Sequence, residues 1–322
     1  MKIGILGAGG IARKMAYTVL CTKNAELAAI GSRSIEKAEI FAAEFAVPKA
    51  YGSYEALAED KDIDLIYIAT PHSRHYEDCM LCMKSGRNVL CEKAFTANAR
   101  QAAELIDYSE QQGIFLGEAM WTRFMPLRFV LEDILQSGII GKVTSLTANL
   151  GYPIENVERL REPALAGGAL LDLGVYTINF ASMVLGTEVE NITSTCVKND
   201  RGVDMHNSII MDFSGGRTAV LHSNMTAATD RRGIIYGTLG RIEVKNINNY
   251  EGISVYLNDG EVKYYIAPPQ VSGYEYELEA AMAAVSKGRT EYDEMPHTET
   301  LRIMEIMDDL RAEWGIRFPF EI

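Results

Sequence analysis

Short apolar runs alternate with helical periodicity through the first third of the chain. "KIGIL" (2–6), "ELAAIG" (26–31), "DLIYIAT" (64–70), "NVLCEK" (88–93) and "IFLGEA" (114–119) are apolar almost throughout. Between them, "IARKMAYTVL", "IEKAEIFAAEF" (35–45), "SRHYEDCMLCMKSG" (73–86) and "NARQAAELIDYSEQQG" (98–113) space their apolar residues at helical intervals. Ser73 reads as a helix cap, and Gly86 and Gly113 read as stops. Continuously apolar strands separated by helices predict a parallel sheet covered on both faces.

After about residue 120 the pattern changes. One helical stretch, "PLRFVLEDILQSG" (126–138), precedes "KVTSLTANLGY" (142–152), "NITSTCVKN" (191–199), "MHNSIIMDF" (205–213), "RTAVLHSNM" (217–225), "RRGIIYGTLGRIEV" (231–244), "ISVYLN" (253–258) and "EVKYYIAP" (261–268). Several of these alternate apolar and polar residues, and Gly215-Gly216, Gly240 and Asn258-Asp259-Gly260 mark turns. Helices are expected at about 172–185, 274–287 and 298–313. The expected fold is α/β: a doubly wound parallel Rossmann sheet over 1–119, then an α+β domain over 120–322 with a large, mostly antiparallel open sheet.

The chain has 322 residues, comfortable for two cores, and a formal net charge of -13, which argues against a nucleic-acid or acidic-membrane surface. "MKIGILGAGG" reads as a strand and turn, not as a signal sequence. The longest apolar stretch, "GALLDLGVYTINFASMVLG", is interrupted by Asp172 and Asn179. Five cysteines, an odd number, suit reduced thiols in a cytoplasmic protein. Cys79 and Cys82 form a C-x-x-C without a second pair, so they are expected on a buried helix face, and no metal site is expected.

Candidate chemistry sits at the ends of the predicted parallel strands. Gly7-Ala8-Gly9-Gly10-Ile11-Ala12 is a G-x-G-x-x-A between a strand and a helix. There the glycines let a pyrophosphate approach backbone N–H groups, and the helix dipole favours its charge. The second strand ends in Gly31-Ser32-Arg33-Ser34, with no acid to hold ribose hydroxyls. Two hydroxyls and a guanidinium suit a 2′-phosphate, so NADP is expected over NAD, with NAD use possible. Thr70, His72 and His75 follow the strand at 64–70, and Glu92 and Lys93 end the next one. All five are candidates near the dinucleotide. Lys93 can bind a substrate hydroxyl or carbonyl and move its proton; Glu92 suits a buried acceptor. His75 could be a metal ligand, but helix capping or packing of the cofactor loop fits better.

The chain resembles the glucose–fructose oxidoreductase/inositol dehydrogenase (Gfo/Idh/MocA) family through "GILGAGGIA", "GSRS", "ATPHSRHYE", "LCEKAFTAN", "GEAMWTRFMP" and "GGALLDLGVY". The resemblance is strongest to the branch of dimeric dihydrodiol dehydrogenases and NADP-dependent D-xylose dehydrogenases. It implies that Glu92-Lys93-Ala94 matches the family's Glu-Lys-Pro, with alanine in place of proline, and that Lys93 is the active-site lysine. The family's Asp followed four residues later by His or Tyr matches Asp172 and Tyr176. Four residues apart on a helix, the two share a face. A lysine ammonium nearby would favour the phenolate.

These matches imply an NAD(P)-dependent oxidoreductase that transfers hydride to or from a sugar, polyol or cyclic diol. Lys93 and Tyr176 would handle the proton and Asp172 would orient a hydroxyl. The alternative is a dinucleotide-binding sensor of the same fold without turnover. Trp121, Arg123 and Phe124 either wall a substrate pocket or serve packing. Relatives pair through the second sheet, which implies a homodimer or a dimer of dimers.

Overall fold

A computed structural model describes residues 1–321. The chain forms two compact units: Met1–Phe124 with Gln270–Glu305, and Met125–Pro269 with Ile306–Ile322. This corrects the expected division at residue 120. The chain leaves the first unit for the antiparallel sheet and then returns, and its 270–305 stretch completes the first core. No change of pattern marks that return, because both units use amphipathic helices.

The first unit contains β1 (Lys2–Leu6), α1 (Gly10–Cys21), β2 (Glu26–Gly31), α2 (Ile35–Phe45), β3 (Lys49–Tyr51), α3 (Tyr54–Ala58), β4 (Leu65–Ile68), α4 (His72–Lys84), β5 (Asn88–Glu92), α5 (Ala99–Gln112) and β6 (Leu116–Ala119). All its strand pairs are parallel, in the order β3-β2-β1-β4-β5-β6. The order reverses between β1 and β4, which opens a crevice beyond their carboxyl ends. Every residue of β4 is buried, as expected for a strand covered on two faces. Polar Tyr51 and Lys49 hid the three-residue β3 from the apolar pattern, and α3 is too short for periodicity. The cap of α4 is Pro71 rather than Ser73. Cys79 and Cys82 are fully buried on α4.

The second unit contains α6 (Pro126–Gln136), β7 (Val143–Gly151), α7 (Glu158–Arg161), α8 (Val175–Leu185), β8 (Val189–Lys198), β9 (Asp204–Phe213), β10 (Arg217–Asn224), β11 (Gly233–Gly237), β12 (Gly240–Lys245), β13 (Gly252–Leu257) and β14 (Val262–Ile266). Eight strands run in the order β14-β13-β12-β11-β7-β10-β9-β8. All neighbours are antiparallel except β7 and β10. The run read at 231–244 is two strands, β11 and β12, turning at Thr238-Leu239. Two further helices follow in sequence, α9 (Glu275–Ser286) and α10 (His297–Glu313).

Alternation in this sheet separates a core face from an open one. Asn207, Ile209, Met211 and Phe213 of β9 are buried, as are Ala219, Leu221 and Ser223 of β10. Ile210 and Val220, paired in register, are 43% and 45% exposed. The stretch Pro163–Leu185 has the length and composition of a membrane span, but 89% of its most apolar window is buried. Its last part is α8, which packs on β7 and β10 of the sheet.

The segment leading into α8 is tightly fixed. Gly168 has φ +122°, and a Cβ there would lie 2.3 Å from the Asp204 carboxylate. Asp204 in turn accepts the Leu170 N–H at 2.8 Å and the Asn207 amide at 2.8 Å. Gly168→Ala is therefore expected to destabilise the protein by about 2 kcal/mol or more, from backbone strain and the clash together. Denaturant unfolding checks it; a stability equal to wild type would refute the assignment.

Candidate active site

The glycine turn has the shape a dinucleotide phosphate needs. Gly7 has φ +106°, and a Cβ there would sit 2.8 Å from the Ala69 carbonyl oxygen, so only glycine lets β1 and the end of β4 approach. Its N–H donates to the Gly31 carbonyl at 2.9 Å, which fixes the turn to β2. Arg13 donates to the Ala8 carbonyl at 2.8 Å. Built Cβ atoms on Gly9 and Gly10 meet nothing within 4 Å, and no side chain caps α1. The start of a 12-residue helix thus has no side-chain cap and no side chain crowding Gly9 and Gly10, which fits a pyrophosphate on its N–H groups. Ile11 and Ala12 continue the helix, with Ala12 buried against the sheet. At the end of β2, Ser32 is buried and Arg33 is exposed.

The ends of β4 and β5 are locked together by His75. The ring is fully buried. One nitrogen lies 2.9 Å from the Thr70 carbonyl oxygen, and the other lies 2.9 Å from that of Ala94 and 3.2 Å from that of Phe95. The ring thus bridges the loops after β4 and β5. His72, also buried, meets the His75 ring edge-on at 5.6 Å between centroids. No group of three or more His, Cys, Asp or Glu residues is placed to hold a metal ion among the described residues. The Thr70 hydroxyl donates to buried Asp78 at 2.8 Å. The Lys93–Ala94 peptide is cis although residue 94 is not proline.

From Val89 to Asn98 every residue is buried except Lys93. Glu92 is its anchor: one carboxylate oxygen accepts the Lys93 N–H at 3.2 Å and the other accepts the Tyr67 hydroxyl. Two more acids lie beneath. Glu118 on β6 accepts the Thr300 hydroxyl at 3.0 Å, and burial pushes its pKa up to about 7, against the pull of Thr300, Arg123 and the Phe95 N–H. Glu277 on α9 is fully buried, with no hydrogen-bond partner for either oxygen among the described residues. Burial, then Glu92, then Glu118 push its pKa well above the ordinary carboxylate range. Tyr67 is held far above the usual phenol value by burial and by Glu92.

The aromatic segment after β6 is also buried. Trp121 stacks on Tyr274, with centroids 4.5 Å apart and planes at 12°. Phe124 meets Tyr292 edge-on at 4.9 Å. Arg123 is 5% exposed and its guanidinium pairs with Glu299 at 2.5 Å. Its charge is thus already committed within the first unit.

Lys93 belongs to the first unit; Asp172 and Tyr176 belong to the second. Asp172 lies in a π-helical turn, Leu170–Gly174, that runs into α8. The expected regular helix from 172 is therefore widened at its start, and Asp204 holds that turn through the Leu170 N–H. Asp172 is 5% and Tyr176 6% exposed. Arg159 lies 3.2 Å from the Asp172 carboxylate. Burial pushes the pKa of Asp204 up to about 6, against the pull of Asn207 and the Leu170 N–H.

Tyr67, Asp78, Glu118, Asp204 and Glu277 support these groups and were missed in the sequence. A tyrosine inside the aliphatic strand at 64–70 was the one available signal; the acids look like solvated helix or turn residues. Glu118 has a testable signature. A carboxyl raised in the folded state binds its proton there when the unfolded chain has already lost it. Its effect on stability is therefore nil below the unfolded value, and stability falls as pH rises from about 4.5 through about 7. Glu118→Gln removes this slope, so the variant should gain about 3 kcal/mol relative to wild type between pH 4 and pH 8. Urea midpoints across that range check it; parallel curves would refute it.

Comparison with known proteins agrees with this geometry. The oxidoreductase family with an NAD-binding Rossmann fold matches residues 1–119, and the GFO/IDH/MocA C-terminal domain matches residues 130–243. Trans-1,2-dihydrobenzene-1,2-diol dehydrogenase of Xenopus laevis is 36% identical over 99% of both chains. The Homo sapiens protein of that name is 30% identical over 99% of this chain and 98% of its own. A crystal structure of KijD10, a 3-ketoreductase from Actinomadura kijaniata, in complex with NADP and TDP-benzene, matches with TM-score 0.88 at 26% identity, over 97% of each chain. The fold is shared with aldose-aldose oxidoreductase from Caulobacter crescentus, with TM-score 0.88 at 21% identity, over 98% of this chain and 97% of that one. The chain belongs to the Gfo/Idh/MocA family of NAD(P)-dependent oxidoreductases.

Proposed function

We propose that the protein is an NADP-preferring dehydrogenase that interconverts a secondary alcohol and a carbonyl on a sugar, polyol or cyclic diol. The observation that carries this is Lys93, the one residue not buried between Val89 and Asn98, at the carboxyl end of a strand in the dinucleotide-binding sheet. The substrate class follows the dihydrodiol and keto-sugar chemistry in the names of its relatives. The cofactor preference follows Ser32 and Arg33, with no acid at the end of β2, and the NADP held by KijD10.

The residues that would hold NADP are those of the open glycine turn and the end of β2, and it would supply the hydride acceptor. The remaining work falls to side chains. Lys93 donates a hydrogen bond to the reacting oxygen, Tyr176, acting as its phenolate, takes the hydroxyl proton and passes one to solvent, and Asp172 orients the substrate. Oxidation then yields a carbonyl, a reduced dinucleotide and one proton released to solvent. Trp121 and Phe124 supply apolar walls, while Arg123 holds them through Glu299. Five free cysteines accord with a cytoplasmic location.

Lys93→Met should lower turnover by roughly a thousand-fold, the range for loss of a positioned proton-handling group. NADPH binding, read by nucleotide fluorescence, should persist. The assay is a screen of aldoses, polyols and cyclic diols with either dinucleotide. Turnover near wild type in the variant would remove Lys93 from this role.

The open sheet face supports a homodimer or a dimer of dimers. Val220, Ile210 and Ile234 lie in one cross-strand row, through Thr147 of β7. A sheet face carrying such side chains is commonly covered by a second copy related by a two-fold axis. Light scattering should give at least twice 35.7 kDa, and Val220→Glu should lower it. A wild-type monomer would refute the pairing.

A further inference from the structure

Three arginines surround the short helix α7, and two of them are spent locally. Arg201, from the turn between β8 and β9, pairs with Glu158 at 2.7 Å and also with Glu162. Arg161 lies 3.6 Å from Asp200 of the same turn. Arg159 is different. Its Nη2 donates to Asp172 Oδ1 at 3.2 Å, and no other hydrogen bond or ion pair joins its guanidinium to the described residues. The Arg159 side chain is 43% exposed, whereas that of Asp172 is 8% exposed.

The backbone that carries Arg159 is anchored. Leu160 is buried, and its carbonyl accepts the Gly168 N–H at 2.9 Å. A Cβ on Gly167 would lie 2.5 Å from the Leu160 carbonyl oxygen and 2.9 Å from that of Arg159, so the chain closes tightly on α7. The Asn199 amide donates to the Arg161 carbonyl at 3.2 Å. The guanidinium is thus presented to Asp172 by a fixed segment.

Charge and hydrogen-bonding capacity decide what such a pair can take. A carboxylate and a guanidinium in contact carry no net charge, so an anionic group gains little from them. They do set an acceptor beside several donors, since a guanidinium has five N–H groups and only one is spent on Asp172. A hydroxyl both donates and accepts, and one hydroxyl placed between the two satisfies both. Tyr176 lies about one turn further along the helix, so the hydroxyl gripped at Asp172 is a neighbour of the reacting oxygen and not that oxygen itself.

We infer that Arg159 is a specificity-determining residue for vicinal diols: it donates to the substrate hydroxyl next to the reacting carbon, the same hydroxyl that Asp172 accepts from. This rests on the dehydrogenase reading above, in which Asp172 orients the substrate.

Paired substrates that differ in one hydroxyl test it: trans-cyclohexane-1,2-diol against cyclohexanol, and an aldose against its 2-deoxy analogue. Each pair is compared by kcat/KM or, where the analogue does not turn over, by its Ki against the parent. Wild type should prefer the hydroxylated member. Arg159→Met should shrink that preference by roughly ten-fold, the low end for a hydrogen bond from a charged group. Arg159→Lys, which keeps a charged donor, should restore part of it. NADPH fluorescence and thermal melts check that the variants fold. If wild type turns over no alcohol or carbonyl with either dinucleotide, the dehydrogenase reading fails and the inference with it. If wild type turns over substrate but ignores the second hydroxyl, the inference alone fails. It fails equally if Arg159→Met keeps the wild-type preference, including by slowing both members of a pair alike, since Arg159 would then serve only to hold Asp172.

Discussion

The imidazole of His75 is the constraint on which the first unit's chemistry depends. Parallel strands end independently, and the loops beyond them have no ladder to hold them. Here one buried ring stands between the carbonyl after β4 and two carbonyls after β5. Without it, the carbonyl that accepts its N–H would lose a buried donor, and the packing of the two loops on the ring would be lost as well. The ring therefore fixes Thr70, Lys93 and Ala94 relative to one another. It also places α4, and with it Asp78 and Arg74.

Each unit positions its functional side chains through a buried carboxyl bound to backbone. Glu92 accepts the Lys93 N–H. Asp204 accepts the Leu170 N–H and so holds the π-helical turn that carries Asp172. Burial is unfavourable for the charged form of such groups, as the raised values of Asp204 and Glu118 record. Interiors tolerate that cost where the geometry it enforces is needed. Glu277 shows the same economy at its limit: with Glu92 and Glu118 as neighbours and no donor among the described residues, burial disfavours its charged form most strongly.

The fold was legible because two kinds of strand leave two kinds of pattern. Continuous apolar runs gave β1, β2, β4, β5 and β6, and alternation gave the open sheet. What failed had physical causes. The three-residue β3 carries a lysine and a tyrosine, and Tyr51 and Lys49 both reach Asp60. The π-helical turn differs from an α-helix by its i→i+5 backbone bonding, and it is held from a distant strand by Asp204, which no local spacing encodes. The return of 270–305 to the first core is a matter of contacts, such as Trp121 on Tyr274 and Arg123 on Glu299, between residues more than a hundred apart.

The same distinction divides the cofactor site. A pyrophosphate is held by backbone N–H groups, and backbone can approach a ligand closely only where side chains are missing. That requirement must be written as glycine, within a few residues, so Gly7, Gly9 and Gly10 announce it. A 2′-phosphate is instead met by side chains. They can come from any element whose end reaches the same place. No local spacing shows which elements those are until the sheet order sets β3 beside β2 and α3 packs on α4. Recognition by backbone leaves a motif, and recognition by side chains leaves a constellation that exists only in the fold.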